Sequence, residues 1–481
     1  MPSRPQKILL IPLDERPVNV RYPAMIAAIA QSTTVIPPSS LLPDRKQPAN
    51  RAALVDWIKA VAPTCDACML CLETLAYGGL VTSRISTEPV WDILRWLAEV
   101  VEIVPRPLYA SNVITRISRH NDSFEEPDYW ATYGIQLHAY SISLDESAFV
   151  TLDNDIDGIP KAIRQDFLTR RARNHAINAA LLAGASQFDL LVMPSDDTTA
   201  GGIQTHERAT LLNTRALLGL TDKVLMYPGA DEIGCTLTAR LLNRENPPRV
   251  FVDYSLAKGA FITAKYEDQP VRETVAGQLT AVGAVSVSTP DGADLILLVN
   301  PPSTAGEEWT AVDPVLERAT RSKSLAEAVQ RAAKAMRNGQ RVAVADVAYP
   351  NGSDPILLEL MFAQMPIAEL AAYGAWNTAG NTIGSVLAAA CIPVVDDEAR
   401  RRFLAHRFLE DWGYQHVVRS EMRALYGETS PQRLIEHTSE IRQRLQYPLE
   451  TLRAYGLNYT IANVRLPWER FFEVDFTLIP Q

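Results

Sequence analysis

The sequence has no excess of basic residues: 46 Lys and Arg stand against 56 Asp and Glu, a formal net charge of −10 over 481 residues. Binding a phosphate backbone needs a dominant positive surface, so nucleic acid is not an expected partner. No uninterrupted apolar run reaches the roughly 18 residues that a spanning helix needs, and no membrane partner is expected. The first apolar stretch, Ile8 to Leu13, is short and leads straight into Asp14, Glu15 and Arg16. It reads as a first strand rather than a secretory signal, which makes the cytoplasm the expected location. Cysteine is scarce, with 5 in the chain. Three lie in CDACMLC (Cys65, Cys68, Cys71), but a spacing of three in a strand-like run puts Cys68 and Cys71 on opposite faces. No second Cys or His cluster completes a tetrahedral site, so buried thiols of a reducing compartment are expected. The 7 histidines are scattered without HExxH or HxH pairing, and no GxSxG elbow occurs. Neither histidine-based zinc catalysis nor a Ser-His-Asp triad is expected on that reading. A P-loop and a glycine-rich phosphate fingerprint are also missing, and neither metal nor cofactor is expected.

What is present is an ordinary globular composition, with 47% hydrophobic and 21% charged residues, on a chain longer than a single core usually supports. Short apolar runs (KILLIPL, TTVIP, ACMLCLE, RPLYASNVI, DLLVMP, KVLMYP, RVFVDY, DLILLVN, RVAVADVAY and IPVV) alternate with helix-like segments at 91–104, 161–185, 206–218, 233–244, 315–337 and 355–370. This predicts an α/β protein with a mainly parallel sheet, either TIM-barrel-like or two Rossmann-like lobes. The expected division is a catalytic α/β lobe over 1–260, a second α/β lobe over 261–397 and a helical C-terminal portion over 398–481. The basic run Arg170, Arg171, Arg173 is placed on the solvated face of its helix. The sequence shows no internal repeat.

The strand ends share a feature. IPLDERPVN ends in Asp14, Arg16 and Asn19, CLETLAYGG in Glu73 and Tyr77, and YASNVITR carries Asn112 and Arg116. VMPSDDTTAGG ends in Asp196 and Asp197, YPGADE in Asp231 and Glu232, VDYS in Tyr254, and VADVAYPNGSD in Asp346, Asn351 and Asp354. Ligands of parallel α/β folds bind beyond the carboxyl ends of strands, so these residues are expected in one cleft, with Asp14, Asp197 and Glu232 within a ligand's diameter. An acid after a strand is often only the cap of the next helix. An adjacent pair exceeds what one cap needs, which favours Asp196-Asp197 and Asp231-Glu232 as functional. In AYGAWNTAGNTIG, Trp376 could be core or a sugar platform, and Asn377, Thr378 and Asn381 suit a backbone-hugging loop that meets hydroxyls or an anion.

Along nearly its whole length the chain resembles the bacterial domain of unknown function 4127 family, in the stretches IPLDERPVN, LETLAYGGLVTSR, TRRARNHAIN, SDDTTAGG, YPGADEIG, YEDQPVRETV, ADVAYPNGSDP and YGAWNTAGNTIG. It departs from that pattern at Glu73, where Asp is expected, and in TTAGG, where a more aromatic stretch is expected. Two local likenesses bear on chemistry. GADE resembles the strand terminus of retaining N-acetylhexosaminidases, and MPSDD resembles the paired aspartates of the O-GlcNAc hydrolase group. There the acids protonate the leaving oxygen and orient the substrate's own acetamido group.

The expectation is a glycoside hydrolase acting on a small sugar conjugate, N-acetylhexosaminides included, with a small-molecule carbohydrate as its partner. Glu232 is the candidate acid, Asp231 its orienting neighbour, and Asp196 or Asp197 the second carboxylate. Asp14, Arg16, Asn19, Glu73, Tyr77, Asn112, Arg116, Tyr254, Asp346, Asn351, Trp376, Asn377 and Asn381 are candidates for binding substrate. The alternatives are a Mg²⁺- or Mn²⁺-dependent carboxylate site and a non-catalytic carbohydrate-binding protein. A homo-oligomer is compatible with the sequence.

Overall fold

The structure, a computed structural model, describes residues 4–146, 158–198, 201–304, 309–427 and 434–481. Thr199 and Ala200 of TTAGG lie outside the described residues. The chain divides into two compact units. One comprises Gln6–Glu15 and Thr33–Gly234; the other comprises Arg16–Ser32 and Cys235–Gln481, with the residues before Gln6.

The first unit is built on a six-stranded sheet. Strand β1 (Lys7–Ile11) reads KILLI and buries every residue but the first. A strand covered on both faces needs no polar alternation, which is why it appears as a continuous apolar run. It is joined by β2 (Thr33–Val35), β3 (Ala67–Cys71), β4 (Leu108–Ser111), β5 (Leu190–Val192) and β6 (Val224–Leu225), in the order β2-β1-β3-β4-β5-β6. All of these pairs are parallel. Its core joins Leu9, Ile11, Leu70, Ala110 and Leu191 of the strands to Leu54, Ile58, Leu97 and Ile177 of the helices.

The second unit holds β7 (Arg249–Tyr254), β8 (Val285–Val287), β9 (Leu295–Asn300), β10 (Val342–Asp346) and β11 (Ala372–Gly374), in the order β11-β10-β9-β7-β8, again parallel throughout. Read from the other edge, this is the order of the first five strands of the first unit. The topology therefore repeats although the sequence does not. Each sheet starts one strand in from an edge, adds that edge strand next and then grows the other way through crossover connections, whose hand is set by the backbone rather than by side-chain identity. Both sheets keep two open edges, so of the two predicted architectures the molecule takes the pair of Rossmann-like sheets.

Several predicted elements differ. IPVV is no strand: Pro393 lacks an amide donor, and Val394 and Val395 are exposed. The second sheet closes instead on the shorter AYG of β11. The longer segment of the second unit begins at Cys235, inside the helix Ile233–Asn243, and β7 already belongs to its sheet. No Pro, Gly or Ser stretch marks the crossing, so composition carries no sign of it. The C-terminal helices share one core with that sheet, including Leu298, Val344, Phe408 and Leu449, and end in an antiparallel pair, β12 (Tyr459–Arg465) and β13 (Asp475–Pro480). Among the described residues no helix is long and apolar enough to cross a membrane.

Candidate functional site

In the first unit the parallel sheet brings acids to one edge. Asp14 follows β1, Glu73 opens the short helix after β3, Asn112 and Arg116 follow β4, Asp196 and Asp197 follow β5, and Asp231 and Glu232 follow β6. Along the sheet these strand ends form a row in the order of their strands. With strands about 4.8 Å apart, the strand leading to Asp14 lies about 19 Å from the one leading to Glu232, and the Asp pair falls between them. Neighbouring acids act on each other along it. Asp196 bears on Glu73, Asp231 bears on Asp197, and Asp14 and Glu73 both bear on the buried Cys71 thiol.

Glu73 is 1% exposed. One of its oxygens accepts the Val113 amide, and the other is buried with no hydrogen-bond partner among the described residues. Burial, reinforced by Asp196, pushes its carboxyl up to about 7. Asp197 sits at φ 35°, in the left-handed region that a non-glycine residue occupies at a cost. Burial and the adjacent Asp196 push it up to about 6, against the pull of Arg116, whose Nη1 donates to it at 2.6 Å. Asp196 pairs with Arg84 at 2.8 Å, and Arg84 also meets Glu126 at 3.2 Å. Glu125 accepts from Arg116 at 3.0 Å. A buried carboxyl raised towards neutrality and a second one held by an arginine are groups that acid/base chemistry on a small molecule can use.

Arg84, Glu125 and Glu126 were not singled out from the sequence, since one arginine in TSRIS and two acids in a loop carry no spacing signal. The basic run corrects the sequence reading outright: it faces inward. Arg171 is 6% exposed and pairs with Glu207 while donating to the Thr115 carbonyl at 2.7 Å. Arg173 donates to the Ser83 carbonyl at 2.6 Å and lies 4.9 Å over the Tyr77 ring. Buried guanidinium groups that are fully partnered can occupy a helix's core face, which the pattern of apolar residues does not disclose. With Arg84, Arg116, Tyr129 and Trp130, Arg171 lines a cavity of about 30 Å³ beside the ionic network. Asn112 donates to Asn178 at 2.8 Å, and Tyr77 is buried beside it.

Asp231 is 6% exposed and Glu232 is fully enclosed. The Glu232 carboxylate lies over Gly229, where an added Cβ would come 2.3 Å from its Oε1 at a φ of 119°. Gly229→Ala should therefore lower unfolding stability by about 1–3 kcal/mol, through strain and a displaced carboxylate. Thermal unfolding measures this directly, and an unchanged midpoint would show that the carboxylate is free to move.

The remaining candidates belong to the second unit. Arg16 lies 4.8 Å over the Trp468 ring, and Asn19 is buried in the first turn of the helix Pro17–Ile29. Tyr254 ends β7, its phenol pushed up to about 12 by burial. Asp346 is enclosed, with its oxygens taken by Asn300 at 2.8 Å and the Asp354 amide at 2.6 Å, so it organises the loop after β10. Asn351 and Asn377 have φ of 57° and 67°, and the Asn351 amide donates to the Asn377 carbonyl at 3.2 Å. Trp376 is 2% exposed and packs against Phe472, as a core residue does. Asn381 lies in the first turn of the helix Ala379–Cys391, which Thr378 caps. The Gly380 amide there donates to Glu267 at 2.7 Å, so the chain's own carboxylate occupies the anion position at that helix start. Among the described residues no three His, Cys, Asp or Glu side chains come together as a metal site.

No curated protein matches the chain. Among solved structures, a UDP-glucosyltransferase from Polygonum tinctorium capable of glucosylating indoxyl, in complex with 3,4-dichloroaniline, aligns over 95% of each chain at 12% identity with a TM-score of 0.20. A likeness that low carries no argument about fold or chemistry. The sequence matches a family described as a protein of unknown function from residue 8 to residue 477, and the chain belongs to that family, DUF4127.

Proposed function

We propose that the protein is a glycoside hydrolase acting on a small sugar conjugate, with N-acetylhexosaminides the first class to try, and that its acid/base pair comes from the carboxylate row of the first unit. The observation that carries this reading is a buried carboxyl, Glu73, which burial pushes up to about 7, on the same edge of the sheet as Asp197, which Arg116 holds at 2.6 Å. Glycosidic cleavage needs one protonated donor for the leaving oxygen and one ionised partner, to activate water or to steady an acetamido nucleophile. Glu73 takes the donor's role in this reading, ahead of Glu232. Arg116 and Arg84 hold Asp197 and Asp196 in place.

The test is turnover of a panel of aryl glycosides and N-acetylhexosaminides by the purified chain across pH. Activity should peak between about pH 6 and 7 and should survive exhaustive chelation. Loss on chelation with recovery on adding Mg²⁺ or Mn²⁺ would transfer the row to metal-assisted chemistry. Saturable sugar binding without turnover would identify a carbohydrate-binding protein instead.

A further inference from the structure

The loop after β10 opens onto a cavity of about 520 Å³, within the range of small-molecule sites and formed entirely inside the second unit. The carboxyl end of a strand in a doubly wound sheet is where such folds bind ligands. One wall is aromatic. Trp309 meets Tyr349 edge to face with ring centres 5.2 Å apart. The Tyr349 ring is set in place by its hydroxyl, which accepts from Arg321 at 2.8 Å and donates to Glu317 at 2.6 Å. The rest of the lining is helical: His416, near the end of the π-helical stretch Phe408–Val418, has its ring centre 6.1 Å from that of Trp309, and Arg419, Ser420 and Arg423 come from the helix Arg419–Tyr426 that follows, with Arg423 one turn beyond Arg419.

That helical lining carries two guanidinium groups, Arg419 and Arg423, the Ser420 hydroxyl and the His416 ring. Arg419 is 8% exposed, donates to the Gln415 side chain at 2.9 Å and lies over the Phe472 ring, so its guanidinium is oriented in advance. Arg423 and Ser420 stand at the exposed mouth. Burial lowers the His416 pKa, leaving a neutral imidazole that can donate or accept at neutral pH. The Asn351 Oδ1 is buried on the same lining and has no hydrogen-bond partner among the described residues, an acceptor suited to a hydroxyl or amine of a ligand. Paired guanidinium groups and a hydroxyl match the oxygens of a phosphoryl group, and an aromatic wall matches a ring.

We propose that this cavity binds a small phosphorylated ring compound, with the phosphoryl group on Arg419 and Arg423 and the ring against Trp309 and Tyr349. The site is separate from the carboxylate row and does not depend on the hydrolase reading. The ring could come from a nucleoside or from a sugar, and the test distinguishes them. Calorimetric titration of the full chain with AMP, glucose 1-phosphate, inorganic phosphate, adenosine and glucose should show one or both phosphorylated compounds binding with a Kd below about 1 mM. Each unphosphorylated partner, and inorganic phosphate alone, should bind at least about tenfold more weakly, since each supplies half of the contacts. Arg423→Met, at an exposed position, should weaken the phosphorylated ligand roughly tenfold while leaving the unfolding midpoint in place. Trp309→Ala should weaken it while leaving any binding of inorganic phosphate unchanged. The proposal is overturned if neither AMP nor glucose 1-phosphate binds, or if both variants bind the preferred compound as the parent does.

Discussion

Glu73→Gln should reduce turnover of glycosides with poor leaving groups by about 10² to 10⁴, the usual contribution of a general acid. Activated aryl glycosides, whose leaving group needs little protonation, should lose far less. The substitution keeps an oxygen for the Val113 amide and removes only the proton, so the fold should tolerate it. The pH profile supplies a second readout. A donor at about 7 makes activity fall above neutrality, and that limb should vanish from the residual activity of the variant. Stability moves in a defined direction as well. The folded carboxyl sits above its ordinary value of 4.5, so between about pH 4.5 and 7 the folded state holds a proton that the unfolded state has released. This contribution is complete below pH 4.5 and is lost as pH rises to 7, by about 3 kcal/mol. Glu73→Gln should flatten that slope and make the variant the more stable protein at pH 8. Near-normal turnover of a poor-leaving-group substrate by Glu73→Gln, with collapse in Glu232→Gln, would move the donor to the end of β6. Normal turnover in both would remove the carboxylate row from the chemistry.

Arg407→Met should lower stability by about 3–5 kcal/mol, the cost of stranding a buried charge whose partner has been removed. Arg407 and Asp411 are 1% and 0% exposed and pair at 2.6 Å, and the same carboxyl oxygen of Asp411 accepts the Ala375 amide at 2.6 Å. The pair ties a π-helical stretch, Phe408–Val418, to the end of β11. Gly374 makes room for it, since a Cβ there would meet Val386 at 2.7 Å and the guanidinium at 3.1 Å. Burial already pushes Asp411 up to about 6 against the pull of Arg407. Without the guanidinium it rises further, so the loss should be small near pH 4, where the carboxyl is neutral, and full near pH 8. Adding Asp411→Asn should recover part of the difference at pH 8, because no charge is then left behind. Unfolding by denaturant at the two pH values checks this. An equal loss at both would show that Arg407 acts through packing over the Tyr22 ring, 4.9 Å away, rather than through its charge.

The strands of both sheets were legible wherever they are long and buried on both faces. KILLI, ACMLC, LILLVN and VAVAD are near-continuous apolar runs because parallel strands between helices meet no solvent. The acids at their ends were legible for the same reason, since a buried run that stops in Asp or Glu has reached the edge of the sheet. Two short strands were not: VSV and AYG hold too few residues for any period to show, whereas TTV, LLV and VL, as short, were legible as parts of the runs TTVIP, DLLVMP and KVLMYP. The inward turn of Arg171 and Arg173 was hidden too, because a charged residue reads as solvated until its partner is known, and Glu207 lies 36 residues from Arg171. By itself the sequence determined the class of fold, the parallel strands and which edge carries the acids, all of which follow from local apolar pattern. Only the tertiary structure decided that the strands form two open sheets of one order, that Glu73 is enclosed where burial pushes its carboxyl up, and that Trp309 shares a cavity with Arg423. Acidity and cavity shape depend on burial and on groups brought together across the chain, and no local stretch of residues records them.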